Sequence, residues 1–169
     1  MAIKKIFLMA CMLGFSMCCL AAVPSIAEVR LQYRKAATEE NSCKDLIALL
    51  APYNEKNDPL LSGYKAGATM MMAKYVFSPF GKLSYFNRGK KMMEKAIEAD
   101  KENAELRFLR FGVQTNIPFF LGYKNDIETD KSFILQSISH LGDPQLKQFI
   151  ISYLNRSGEL TNIEKQELK

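Results

Sequence analysis

Two arginines and a glutamine are spaced so that they could bind an anionic ligand. Arg107, Arg110 and Gln114 fall at i, i+3 and i+7, so a helix would present all three along one line. Guanidinium groups donate paired hydrogen bonds to carboxylates and phosphates. Asn116 and Lys124 follow in the chain and could extend this polar line. These five residues form the candidate site, which would bind an acidic group or the carboxyl terminus of a peptide.

The rest of the same helix points to a second interpretation of the arginines. Its remaining positions are largely apolar: Leu106, Phe108, Leu109, Phe111 and Val113. A helix that is apolar on nearly every side should be central in the fold, so its arginines would need acceptors inside the protein. Acids close in sequence could supply them: Glu105, Asp126 and Asp130. A ligand groove and an internal ion-pair network are both compatible with the pattern.

Catalytic chemistry has little support in the sequence. The one histidine, His140, precedes Leu141-Gly142 near a helix end, where a histidine commonly bonds the last carbonyls or faces water. A hydrolase would need His140 beside a carboxylate or hydroxyl in a cleft. No glycine-rich phosphate loop, CxxC, HExxH or GxSxG motif occurs. We therefore predict no enzyme activity, no cofactor and no metal site, and interpret Met70–Met72 as core residues.

Residues 1–27 have the layout of a secretory signal peptide. A short basic head at Lys4 and Lys5 precedes an apolar run that is shorter than the roughly 20 residues a membrane span needs. Small residues at Ser25 and Ala27 predict cleavage before Glu28, with cleavage after residue 21 or 22 as the alternative. The mature chain would then be exported, periplasmic or secreted, without a membrane span.

Cysteine usage and charge narrow the class of protein further. Lipid anchoring through Cys18 or Cys19 is the less favoured alternative, because neither has the leucine three residues earlier or the small residue before it that lipidation requires. Cys43 would remain alone on an apolar helix face, as a buried residue without a disulfide partner. The net charge of +5 includes Lys4 and Lys5 of the leader. So mild a charge does not predict a nucleic-acid partner.

The elements that must position these residues are helices. Apolar positions recur with helical period, and no stretch alternates convincingly as a strand would. Residues 28–169 are predicted to form one all-α domain of about six to seven antiparallel helices. Expected starts are Ser42, Asp58, Asn103, Asp143 and Thr161. Small residues between 63 and 68 should let a neighbouring helix approach closely.

The loop 118–123, rich in aromatics, would cover the core or contact a membrane surface.

The segment Gly89–Arg107 resembles a tetratricopeptide repeat, a helix-hairpin family. Ala96 stands at the repeat's small position, and an acidic turn leads into the next helix. Met93 and Gly89 fit the large and small positions that lie one and two turns earlier. Lys101 stands where the family usually has proline, and the resemblance covers about one repeat. The chain is also similar to small exported proteins of Bacteroidota-type bacteria. The resemblance implies a TPR-like hairpin array that binds proteins or peptides.

Two functions of different classes follow as expectations. The first is a non-catalytic module of the cell envelope that binds a protein or acidic peptide through a polar-lined concave face near residues 107–114. The alternative is a periplasmic small-molecule-binding or envelope-stress protein with an apolar pocket. That pocket would be lined by Met71, Met72, Phe86, Phe111 and Phe120.

Overall fold

Eight α-helices follow one another along residues 23–168, the part of the chain that a computed structural model describes. Their bounds are α1 Ile26–Ala36, α2 Glu40–Leu49, α3 Pro59–Met71, α4 Pro79–Ala99, α5 Ala104–Asn116, α6 Ile127–Ser137, α7 Pro144–Ser157 and α8 Asn162–Glu167. Short 3-10 segments occupy Met72–Lys74, Phe119–Leu121 and Ile138–His140. Within this range no residue forms a strand, which confirms the all-α class. None of these helices is long and apolar enough to cross a bilayer.

Side-chain caps define most helix starts, because an acceptor side chain can bond the first unpaired amides. Asp58 accepts from Leu61 N at 2.9 Å, and Asn103 and Asp143 cap α5 and α7 in the same way. The predicted Ser42 cap is wrong. The helix α2 begins earlier because acidic residues are favoured at the positive end of a helix and extend it. Ser42 therefore lies inside α2, and its hydroxyl donates to the Glu39 carboxylate at 2.7 Å.

The described chain includes the end of the predicted leader. Ser25 caps α1 in a capping box, accepting from Glu28 N at 3.3 Å while its own amide donates to the Glu28 carboxylate at 3.2 Å. Cleavage before Glu28 would remove this cap, whereas cleavage after residue 21 or 22 would keep it. The rest of the leader, with Cys18 and Cys19, lies outside the described residues.

Helices α3 and α4 approach each other closely, as the small residues of α3 predict. A methyl group placed on Gly89 of α4 would lie 2.6 Å from the carbonyl oxygen of Ala66. Only a glycine allows the two backbones to come so near. Cys43 of α2 is fully buried beside this pair, and its thiol lies 3.2 Å from the carbonyl oxygen of Ala68. Burial raises the pKa of Cys43 to about 11, so the thiol is the buried apolar residue predicted.

Helix α5 lies between two apolar clusters, which confirms its predicted central position. Leu106, Leu109 and Val113 pack into the cluster formed with α1 to α4. Phe108 and Phe111, on other faces of α5, pack into a second cluster with α6 and α7. Because both clusters depend on α5, its polar residues must also find partners within the protein or at its edges.

Candidate functional site

The guanidinium group of Arg110 is enclosed by carboxylates of the same chain. Only 4% of the residue is exposed. Its Nε and Nη2 donate to the two oxygens of Asp130 at 2.7 and 2.8 Å, and Nη1 donates to Glu94 at 2.8 Å. Burial opposes the charge, but the bonds to Asp130 and the nearby negative charges outweigh it and raise the pKa of Arg110 above its ordinary value. Arg110 is therefore a fixed cation with internal acceptors.

The two other members of the polar line join the same network. Arg107 Nη1 donates to Asp130 at 3.2 Å, and its other nitrogens reach the carbonyl oxygen of Lys101. Gln114 is fully buried and donates to Asp126 at 3.2 Å. Its Oε1 atom has no hydrogen-bond partner among the described residues. Asp126 and Asp130, two of the acids predicted as internal partners, thus accept hydrogen bonds from the side chains of this polar line.

The five candidate residues do not line one surface. Asn116 is exposed and donates to the Tyr153 hydroxyl at 2.6 Å, so it belongs to the contact between α5 and α7. Lys124 is half-buried in the connection after Gly122. The structure therefore groups Arg107, Arg110 and Gln114 around aspartates and places Asn116 away from them. Binding through these five residues stays a hypothesis, and their donors are largely directed at internal acceptors.

A second network was not visible in the sequence. Arg30 of α1 donates to both oxygens of Glu105 at 2.6 and 2.7 Å and to Asp143 at 2.5 Å. Tyr64 also donates its hydroxyl to Glu105. The third predicted acid, Glu105, thus serves α1 and α3 instead of the α5 arginines. Arg30 and Glu105 are 75 residues apart, so no local pattern could have joined them.

His140 is exposed at the end of a 3-10 segment. It lies at a depression of about 490 Å³ that also contains Glu105 and Ser137. The Glu105 carboxylate accepts hydrogen bonds from Arg30, and the Ser137 hydroxyl donates to the carbonyl oxygen of Phe133 at 2.8 Å. Within residues 23–168 the His140 side chain makes no hydrogen bond, and no three metal-ligand side chains are grouped. The hypothesis of a histidine relay gains no support from this position.

An apolar groove of about 820 Å³ lies between α1, α3, α4, α5 and α7. Apolar side chains dominate its walls, including Met71, Leu83, Phe86, Val113, Ile117 and Phe120. Three of the five residues predicted to enclose a pocket therefore line the groove. Met72 is buried in the first apolar cluster and Phe111 in the second, because they face away from this side of their helices. The predicted enclosed pocket is instead a groove with exposed edges.

The charged residues that line the groove are all cationic. They are Arg34, Lys74 and Lys82, and all three are exposed, so they form a cationic rim. Arg34 also lies over the ring of Phe149, 5.4 Å from its centre. In the described part of the chain none of the three forms an ion pair. Apolar walls with a rim of one charge sign are suited to an amphiphile with an anionic head.

No protein-family model, curated protein or solved structure matches the chain. The tetratricopeptide resemblance therefore stays a prediction. The fold and the site define the class by themselves: an all-α protein with a central helix, two internal ion-pair networks and an apolar groove with a cationic rim.

Proposed function

We propose that the protein is a non-catalytic binding protein of the cell envelope that holds an apolar chain in its groove. The observation that carries the proposal is the groove itself, whose volume of about 820 Å³ is within the roughly 300–1,000 Å³ of small-molecule sites. Its export is part of the proposal and depends on the predicted leader, residues 1–27.

Burial of hydrocarbon supplies the binding free energy. Each buried CH₂ group contributes about 0.8 kcal/mol, so eight of them give roughly 6 kcal/mol before the costs of association. An anionic head group at the cationic rim would fix the orientation of the chain. The ligand favoured by this arrangement is a fatty acid or another single-chain anionic amphiphile.

Protein or peptide binding is the second candidate. It is favoured by the exposed edges of the groove, where Leu83 and Phe120 could receive apolar side chains of a partner helix. The groove, and not the α5 arginines, would then hold the peptide. An amphipathic peptide and a fatty acid would compete for the same apolar walls.

Filling the groove tests the proposal directly. An anilinonaphthalene sulfonate dye reports apolar binding by its fluorescence, and dodecanoate below its micelle concentration should displace it. Ala73 lines the groove, so Ala73→Phe should weaken both ligands by about tenfold or more, a loss of about 1.4 kcal/mol. Ala99→Phe, at an exposed position outside the groove, is the matched control and should bind like wild type.

The result that contradicts the proposal is equally direct. Wild-type protein that binds neither dye nor dodecanoate, or Ala73→Phe that binds both unchanged while its melting temperature is preserved, would exclude the groove as the ligand site. Displacement of the dye by an amphipathic peptide but not by dodecanoate would favour the second candidate.

A further inference from the structure

Four phenylalanines are the most exposed large apolar side chains in residues 23–168. Phe77, Phe80, Phe119 and Phe120 are 99, 87, 84 and 83% exposed. They belong to two segments: Phe77 and Phe80 lie just before and at the start of α4, and Phe119 and Phe120 lie in the 3-10 segment after α5. Buried aromatics are available in the same region, since Phe86 packs edge-on against Tyr123. The exposed rings are therefore a separate group of aromatics from those that fill the core.

Both segments border the groove. Lys82 and Leu83 of α4 and Phe120 of the 3-10 segment line it directly. Phe80 lies one helical turn before Leu83, on the same side of α4. We call the four phenylalanines the aromatic mouth. Phe120 lines the groove, and the other three lie within two residues of the lining residues Pro79 and Phe120. An exposed apolar patch continuous with a binding groove marks an interaction surface.

The positive charge near the aromatic mouth favours an anionic membrane over a second copy of the chain as its partner. The cationic rim of Arg34, Lys74 and Lys82 lies along the same groove, and none of the lining residues is acidic. A second copy of the chain related by two-fold symmetry would bring the same cations towards each other, which disfavours self-association. Exposed aromatics beside lysines are the composition of elements that enter the interface of anionic membranes.

We propose that the aromatic mouth docks on an anionic lipid surface, so that the groove receives the acyl chain of a lipid from that surface. The inference rests on the function proposed above and names its ligand class. The phenylalanine rings enter the head-group region, while Lys74 and Lys82 lie next to lipid phosphates. The sequence offered Phe119, Phe120 and Tyr123 of the loop as a membrane contact, as the alternative to packing over the core. The structure exposes the two phenylalanines but buries Tyr123, and it adds the α4 segment and the lysines of the rim.

Co-sedimentation with vesicles tests the docking. Protein as isolated from cells is mixed with vesicles of phosphatidylcholine alone, or with about one third phosphatidylglycerol, at low and moderate salt. Wild type should sediment with the anionic vesicles, and salt should weaken its binding. Phe80→Ser/Phe119→Ser and Lys74→Gln/Lys82→Gln should each lower the partition coefficient by about tenfold or more.

Matched controls keep the comparison specific. Ile163→Ser removes an apolar side chain that is 70% exposed in α8, outside the groove. Lys56→Gln/Lys91→Gln removes the same charge from exposed positions elsewhere. Both controls should sediment like wild type. All substituted residues are exposed, so circular dichroism and melting temperature should remain those of the wild type.

Three results would overturn the docking proposal. The first is equal binding of the wild type to neutral and anionic vesicles, and the second is a phenylalanine variant with an unchanged partition coefficient. The third is a wild-type dimer that the phenylalanine variant no longer forms, which would assign the aromatic mouth to a second copy of the chain. Dodecanoate binding without vesicles separates the two proposals. If it persists while vesicle binding fails, only the docking is refuted, and if both fail the groove function falls as well.

Discussion

Replacing Asp130 with alanine tests whether the α5 arginines hold the fold together. Asp130 is completely buried and accepts from Arg110 at 2.7 and 2.8 Å and from Arg107 at 3.2 Å. The variant leaves the buried Arg110 cation with two partly exposed carboxylates, Glu94 at 2.8 Å and Asp126 at 3.6 Å. Breaking a buried ion pair costs about 3–5 kcal/mol. That is a large part of the roughly 5–15 kcal/mol that stabilises a domain.

Urea unfolding followed by circular dichroism measures this loss. In thermal unfolding the same loss should lower the melting temperature by roughly 6–20 °C, since each kcal/mol of unfolding free energy corresponds to about 2–4 °C. Glu98→Ala is the matched control, since Glu98 pairs with Lys101 at 3.2 Å but the two side chains are 77 and 60% exposed. Such pairs contribute about 1 kcal/mol or less.

A double substitution that removes both charges of the Arg110–Asp130 pair complements the single one. Arg110→Met/Asp130→Leu should recover much of the loss, because no unpaired charge stays buried. If Asp130→Ala costs no more than Glu98→Ala, the pairing is not structural, and the arginines would again be candidates for a ligand site.

Other substitutions probe packing, titration and processing. Gly89→Ala should lose about 1–3 kcal/mol in urea unfolding, because its methyl would lie 2.6 Å from a carbonyl oxygen of α3. Gly112→Ala, with its nearest neighbour at 3.7 Å, should gain up to about 1 kcal/mol. Burial raises the pKa of Cys43 to about 11, against roughly 8.5 unfolded. The unfolded thiol therefore ionises first, and stability should fall between these pH values, less so in Cys43→Ala. A chain cut before Glu28 loses the Ser25 cap and should be less stable than one that keeps it by about 1 kcal/mol or more.

Local signals were sufficient for most of the helix starts and for the central position of α5. Caps such as Asp58 and Asn103 lie within three residues of the amides they bond, so they are visible in the sequence. The helical period is equally local. The position of α5 followed from its nearly continuous apolar circumference, because such a helix can bury its surface only at the centre. The Ser42 cap was wrong because the acidic residues before it extend α2 to Glu40, although no side chain caps that start.

The sequence by itself thus determined an all-α chain with a central arginine-bearing helix, because periodicity and capping act over a few residues. Only the tertiary structure decided which acid each arginine bonds, since Asp130 and Glu105 are chemically alike but Arg110 and Arg30 reach different ones. It also decided that Phe80 is exposed while Phe86 is buried. Side-chain type sets what a residue can bond or bury, but the groove and its rim exist only where five helices meet.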